Sequence, residues 1–302
     1  MFPLVAIDVA GHQLPAGGVV LLGLAVGYVA GLFGVGGGFL LTPLLSVVFR
    51  VPLEIAVGTG LCQMVGTSVS ALLRHRQLGQ GEVRFDVLML AGSLLGVEAG
   101  AEVLDALAGA GTVRIGGGEL PLVRLIVQLS YVVLLLAAAG VFWREGRGPY
   151  EDLDYVRSAP LARLRLPPLT DLPAVPLRDV SASVIAYVGL ALGFTSGLLG
   201  IGGGVALMPI LIYGFGFPIR EAAGTGIVAI CATAVTGTIA HALRGNVHLL
   251  LAMVLLVPAS LSAQLGALAS HRLPARTLRR SFALLLVATV SAIAWDLARQ
   301  VR

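Results

Sequence analysis

Two pairs of short motifs carry whatever chemistry this chain performs. The first pair is a glycine cluster at 34–38, GVGGG, and another at 200–204, GIGGG. Each leads into a short apolar stretch that holds a proline, Pro43 or Pro209. Successive glycines let a chain leave helical geometry without steric cost. The N–H groups that begin the next helix have no intrahelical partner, and the helix dipole places partial positive charge there. The backbone N–H groups of Gly36, Gly37, Gly38 and Phe39, and of Gly202, Gly203, Gly204 and Val205, are therefore candidate ligands for an anion. The second pair is Gly58-Thr59-Gly60 and Gly224-Thr225-Gly226. The hydroxyls of Thr59 and Thr225 are candidate donors to a substrate oxygen; the competing use is a bond back to their own helix. Close helix packing is the competing explanation of the glycines. It suits Gly27 and Gly31, with their counterparts Gly193 and Gly197, which stand at small-xxx-small spacing. A dinucleotide-binding turn would need a strand before the glycines and an acid downstream, and neither is present.

The elements that position these motifs follow from composition. Of 302 residues, 57% are hydrophobic and 12% charged. Soluble domains carry about 25% charged residues, so this chain lacks the polar groups to cover a soluble surface. Apolar runs at 14–33, 122–143, 183–199, 247–268 and 281–297 are close to the roughly 20 residues that cross a bilayer as helix. Lipid offers the backbone no partners, which leaves helices or a closed barrel; the alternation over about 10 residues that barrel strands need does not appear, so helix is expected. All twenty basic residues are arginine and lie mostly between apolar runs. The net charge of +4 therefore reads as membrane topology, and no nucleic-acid partner is expected. No cleavable leader is expected either, since the first basic residue is Arg50.

The chain repeats itself. Residues 27–60 match residues 193–226 at an offset of 166, with 16 of 34 positions identical and no gap. The division expected is a first membrane repeat at 1–143, a Pro- and Arg-rich cytoplasmic linker at 144–180, and a second repeat at 181–302. Each repeat reads as a helix, a glycine break, a short segment (39–49 or 205–215), a third helix (54–73 or 220–242) and two more (86–104 and 122–143, or 247–268 and 278–298). Arginine bias reverses between matching gaps. Arg74, Arg76 and Arg84 lie at 74–85 against Arg244 alone at 240–251; Arg114 alone lies at 105–121 against Arg272, Arg276, Arg279 and Arg280 at 271–287. The positive-inside rule then puts 74–85, the linker and 271–280 in the cytoplasm and inverts the two repeats. Both termini fall on the opposite face.

Other polar residues offer less. His75 and His241 end the third helices and read as interfacial, with a proton relay as the alternative. Glu98 and Glu102 share a helix face, and an intramembrane carboxylate is costly enough to suggest function. Gln63 lies one turn beyond Thr59 but faces Ala229 in the repeat register. Arg124 and Gln128 share a face near a helix start, where arginine can reach the interface. Cys62 and Cys231 do not align with each other and read as small buried hydrophobes. No cofactor, metal cluster or catalytic group is expected.

At the two motifs the chain resembles the sulfite exporter TauE/SafE family of membrane permeases. The residues that carry the resemblance run from Gly31 through Gly38 with Pro43, and from Gly197 through Gly204 with Pro209, followed by the two Gly-Thr-Gly triplets. The resemblance implies a secondary transporter of sulfite, an organosulfonate or a related small anion in the cytoplasmic membrane. The expected fold is an all-α integral membrane protein of two inverted repeats, about five helical segments each, with a glycine-broken helix pair in each half. A proton or sodium ion as coupling partner, and a homodimer, both fit this reading. A passive channel would use the same site chemistry.

Overall fold

The computed structural model describes residues 6–33, 36–77, 81–115, 118–145, 159–173, 175, 177–217, 219–270 and 272–301. Ten helices emerge among them. The first five are α1 (Ala16–Phe33), α2 (Gly38–Val47), α3 (Leu53–Gln77), α4 (Val83–Gly109) and α5 (Leu122–Glu145). The second five are α6 (Ala182–Leu199), α7 (Gly204–Pro209, continued by a π-helical turn at Ile210–Phe215), α8 (Ile219–Leu243), α9 (Leu249–Ser270) and α10 (Ala275–Val301). Seven of them are long and apolar enough to cross a bilayer, so the expected all-helical membrane architecture holds. Their outer faces stay apolar: Val257, Leu261 and Leu265 of α9, spaced one turn apart, are each 62% exposed. Such a stripe belongs against lipid rather than water.

The offset of 166 recurs as geometry. A Cβ at Gly27 of α1 would fall on Ala259 O of α9, and one at Gly31 on Ala263 O. In the same way a Cβ at Gly193 of α6 would fall on Ser93 O of α4, and one at Gly197 on Val97 O. Each contact maps onto its partner by adding 166 to the α1 residue and subtracting 166 from the α9 residue, so α1 packs on α9 as α6 packs on α4. Small residues let these backbones touch, which is how helices adhere in lipid without a hydrophobic driving force. In both pairs the residue numbers rise together, so the paired helices run parallel. The counterpart helices α3 and α8 instead run antiparallel. Gly58 lies against His241, and Gly237 against Leu61. The counterparts α5 and α10 do the same, with Arg124 bonded to Gln300 and Gln128 to Asp296.

The short segment after each glycine break turns back. A Cβ at Gly37 would stand 2.6 Å from Val26 Cγ1, and Phe49 lies against Gly18 near the start of α1. Thus α2 retraces part of α1 instead of crossing to the far side.

Three short antiparallel hairpins were not expected from the sequence: β1–β2 (Ala6–Val9, His12–Pro15), β3–β4 (Thr112–Ile115, Gly118–Pro121) and β5–β6 (Leu169–Leu172, Leu177–Ser181). Each ends where α1, α5 or α6 begins. The third corrects the reading of 144–180 as linker throughout. Leu172, Val175, Leu177 and Val180 are buried with Phe85, Phe215 and Phe217, and the Leu161 N–H donates to Gly214 O at 2.9 Å. Ser181 closes the hairpin and caps α6, accepting the Val184 N–H at 3.2 Å. Alternation over four residues is too short to separate such strands from turns.

Glycine packing sets a stability prediction. Gly27→Val should cost about 1–3 kcal/mol by overpacking, and lower the thermal midpoint of the detergent-solubilised protein. Gly140, which has open space around it, should accept valine with little change. Equal midpoints for both variants would contradict the helix contact.

Candidate functional site

Both predicted helix breaks are present. Helix α1 stops at Phe33 and α2 starts at Gly38; α6 stops at Leu199 and α7 starts at Gly204. The matching residues Gly36 and Gly202 both hold left-handed backbone, with φ of 72° and 69°, a conformation that glycine alone adopts readily. Gly200 closes α6 in the same region of conformational space, its N–H bonded to Ser196 O at 2.8 Å. On the far side of each break the helical ladder begins late. The first bonds to Gly37 O come from Leu40 and Leu41, and the first to Gly203 O from Ala206 and Leu207. The N–H groups of Gly38 and Phe39, and of Gly204 and Val205, therefore precede the ladder at the positive ends of α2 and α7.

The two breaks meet. A Cβ at Gly38 would stand 2.5 Å from Gly200 O and 3.1 Å from the Ile201 carbonyl carbon. The Met64 thioether of α3 lies between them: Cβ atoms at Gly38 and Gly202 would overlap its sulfur or its methyl, and one at Gly36 would stand 3.0 Å from the methyl. Ile230, the counterpart of Met64, lies 3.9 Å and 3.8 Å from the same positions at Gly36 and Gly202. Buried apolar side chains line the junction. Phe39, Val205, Met64 and Ile201 are buried, and the Thr233 hydroxyl approaches Gly202 O at 3.4 Å. Among the described residues no salt bridge touches it, since the pairs found are Arg114–Glu119 and Arg244–Glu98. An anion there would meet N–H dipoles rather than a cation. Met64 was not singled out from the sequence, because a lone methionine in an apolar helix looks like core. Its place in the repeat register beside Gly-Thr-Gly was the available signal.

Thr59 and Thr225 each meet the start of another helix. The Thr59 Oγ1 accepts the His248 N–H at 3.1 Å, and the Thr225 Oγ1 accepts the Glu82 N–H at 3.0 Å. His248 is Glu82 plus 166, so each threonine caps the fourth helix of the opposite repeat, at the mirror-related position. Thr225 also donates to Glu221 O at 2.7 Å. Its single proton is thereby committed. Both threonines are completely buried.

The remaining polar candidates divide. His241 is wholly buried rather than interfacial, its Nε2–H donating to Gly197 O at 2.9 Å. The side chain of His75 lies outside the described residues. Glu98 is exposed and paired with Arg244 at 2.6 Å. That hydrogen bond holds the guanidinium above its usual range, and places the carboxylate in a surface ion pair instead of a proton path. Arg124 donates to Gln300 Oε1 and Gln128 to Asp296 Oδ2, joining α5 to α10. Cys62 and Cys231 are both free and half-buried. Among the described residues no group of metal-ligating side chains occurs.

A broken helix in each repeat, the two breaks in contact and glycine-zipped pairs around them are the geometry that comparison with known proteins can place. The family described as Sulfite exporter TauE/SafE matches residues 19–293, a span that takes in both repeats. This chain belongs to that family. Relatives agree at low identity over nearly full length. A probable membrane transporter of Bacillus subtilis, YunE, is 26% identical over 86% of this chain and 90% of its own. One from Xylella fastidiosa is 26% identical over 89% and 91%. One from Methanocaldococcus jannaschii is 22% identical over 86% and 88%. No solved structure matches this member of the TauE/SafE family. With seven helices able to span, it is a multi-pass membrane transporter.

The caps give a prediction specific to this family member. Thr225→Val removes the acceptor for the Glu82 N–H, and should cost about 0.5–2 kcal/mol, as loss of a helix cap does. Thermal unfolding in detergent checks this. An unchanged midpoint would return Thr225 to the list of substrate donors.

Proposed function

We propose that this TauE/SafE protein is a secondary transporter that carries a small sulfur-containing anion, sulfite or an organosulfonate, across the cytoplasmic membrane by alternating access. The observation that carries the reading is the meeting of the two glycine breaks. In inverted-repeat transporters, discontinuous helices from the two halves build the substrate site near the midplane. In this reading the N–H groups of Gly36–Phe39 and Gly202–Val205 are the anion's ligands, supported by the late start of both helical ladders next to the contact of the breaks. Amides in low dielectric attract negative charge strongly, and need no buried cation to do so.

The arrangement of the halves supports an inverted topology. Counterpart helices α3 and α8, and α5 and α10, run antiparallel, so the axis relating the repeats lies across the helices rather than along them. Arginine bias reverses between matching gaps as that axis requires. Alternating access is then a rocking of one repeat against the other, loosening the Thr225 cap on one face and the Thr59 cap on the other in turn. The arginine-rich end, which holds β5–β6 and residues 271–280, is the cytoplasmic one.

The test uses purified protein in proteoliposomes. Gly37→Val drives its side chain into Val26, and Gly203→Val strains a backbone held at φ of 78°. Each should abolish sulfite flux, while the protein still inserts and elutes as one species. Normal flux with either change counts against the site. In wild-type vesicles an imposed proton or sodium gradient should drive sulfite against its own gradient; flux that follows the sulfite gradient alone would make the protein a channel.

A further inference from the structure

Hydroxyls buried in an apolar helix usually donate to a carbonyl three or four residues back, because lipid offers nothing else. This chain does so repeatedly. Thr236 donates to Ala232 O at 2.7 Å, Thr238 to Ala234 O at 2.7 Å and Ser130 to Ile126 O at 2.8 Å. Thr42 and Ser196 depart from the rule. Both are completely buried, at 0% exposure, yet neither hydroxyl bonds to its own helix. The Ser196 Oγ has no hydrogen-bond partner among the described residues. Thr42 instead meets the Tyr131 hydroxyl, whose own proton goes to Leu199 O and whose oxygen is the acceptor open to Thr42. An unsatisfied buried oxygen needs an explanation, and an absent ligand is a standard one.

Their positions agree with that explanation. Ser196 stands on α6 one turn before Gly200, on the same helix face. Thr42 stands on α2 one turn after Gly38. A Cβ at Gly200 would lie 3.0 Å from Thr42 Oγ1, and Gly200 O abuts Gly38. One hydroxyl from each repeat therefore borders the junction of the breaks. Adding or subtracting 166 replaces Thr42 by Met208 and Ser196 by Ala30, both apolar. The polar shell is thus one-sided. Backbone amides come from both breaks, but the side-chain hydroxyls, unpartnered Ser196 and Thr42 beside Tyr131, have apolar counterparts in the other repeat.

We propose that Thr42 and Ser196 are the side-chain donors of the anion site, and that they set its selectivity for oxyanions over halides. This rests on the glycine-break reading given above and adds the discriminating groups to it. Amide dipoles attract any small anion. Two hydroxyls at separate positions reward an anion with separate acceptor oxygens, such as pyramidal sulfite, and leave a single spherical ion such as chloride with fewer bonds. A site built to hydrogen-bond discriminates because the wrong ligand leaves its polar groups unpaired.

Sulfite flux in proteoliposomes tests this with Ser196→Ala, Thr42→Val, Ser196→Thr and the control Thr236→Ala. Loss of one hydrogen bond to a charged ligand should raise the half-saturating sulfite concentration about tenfold. Ser196→Ala and Thr42→Val should each show this with the maximal rate largely retained, and each should let chloride compete where it does not in the wild type. Ser196→Thr, which keeps the hydroxyl, should restore most of the affinity, and Thr236→Ala should behave as wild type. Unchanged half-saturation and chloride resistance in both variants overturns the assignment, as does a fall in maximal rate alone. If Gly37→Val still abolishes flux in that case, the glycine site stands without these side chains. If the glycine variants also transport normally, the underlying reading fails first.

Discussion

In a bilayer every backbone N–H and C=O must find a partner inside the protein, since lipid supplies none. This chain breaks two of its helices at membrane depth, and everything else in the fold serves to make those breaks tolerable. The glycines that open α1 and α6 leave N–H groups ahead of the ladders of α2 and α7. Burying them singly would be costly. Bringing the two breaks together around Met64 concentrates that cost in one buried place. The glycine-zipped pairs α1–α9 and α4–α6 form the walls around it, and α3 and α8 cross antiparallel through its middle.

Duplication explains why two breaks coincide. One break would leave one positive helix end facing an apolar wall. Two copies bring both ends into contact. The same duplication yields the mirror-related caps, Thr59 on the His248 N–H and Thr225 on the Glu82 N–H. Departures from symmetry then mark where the copies have specialised. Met64 faces Ile230, Thr42 replaces what is Met208 in the other repeat, and Ser196 replaces Ala30. Each of these differences changes the polarity or shape of a side chain close to a break.

Much of this was legible in the residues. The glycine clusters, the offset of 166 and the apolar runs gave ten helical segments with the two breaks in matching places. Small-xxx-small spacing at Gly27 and Gly31 pointed to close packing, though not to α9 as the partner. Other features were hidden for physical reasons. Hairpins of four-residue strands carry too little alternation to stand out, and β5–β6 sits in a proline-rich stretch that looks like a tether. Thr59 and Thr225 looked like ligands because a hydroxyl between two glycines says that something approaches closely. It does not say whether that is a substrate or the first turn of another helix. Buried His241 was read as interfacial because sequence gives the end of a helix but not what covers it.

The central claim is that main-chain amides at the two breaks hold the anion. Glycine-selective 15N labelling of the protein in nanodiscs, titrated with sulfite, reads those amides directly. Saturable changes are expected in the amide resonances of Gly38 and Gly204, with a common half-saturation, while Gly140 on the outer face stays still. Saturable sulfite binding that leaves Gly36–Gly38 and Gly202–Gly204 unmoved would contradict it.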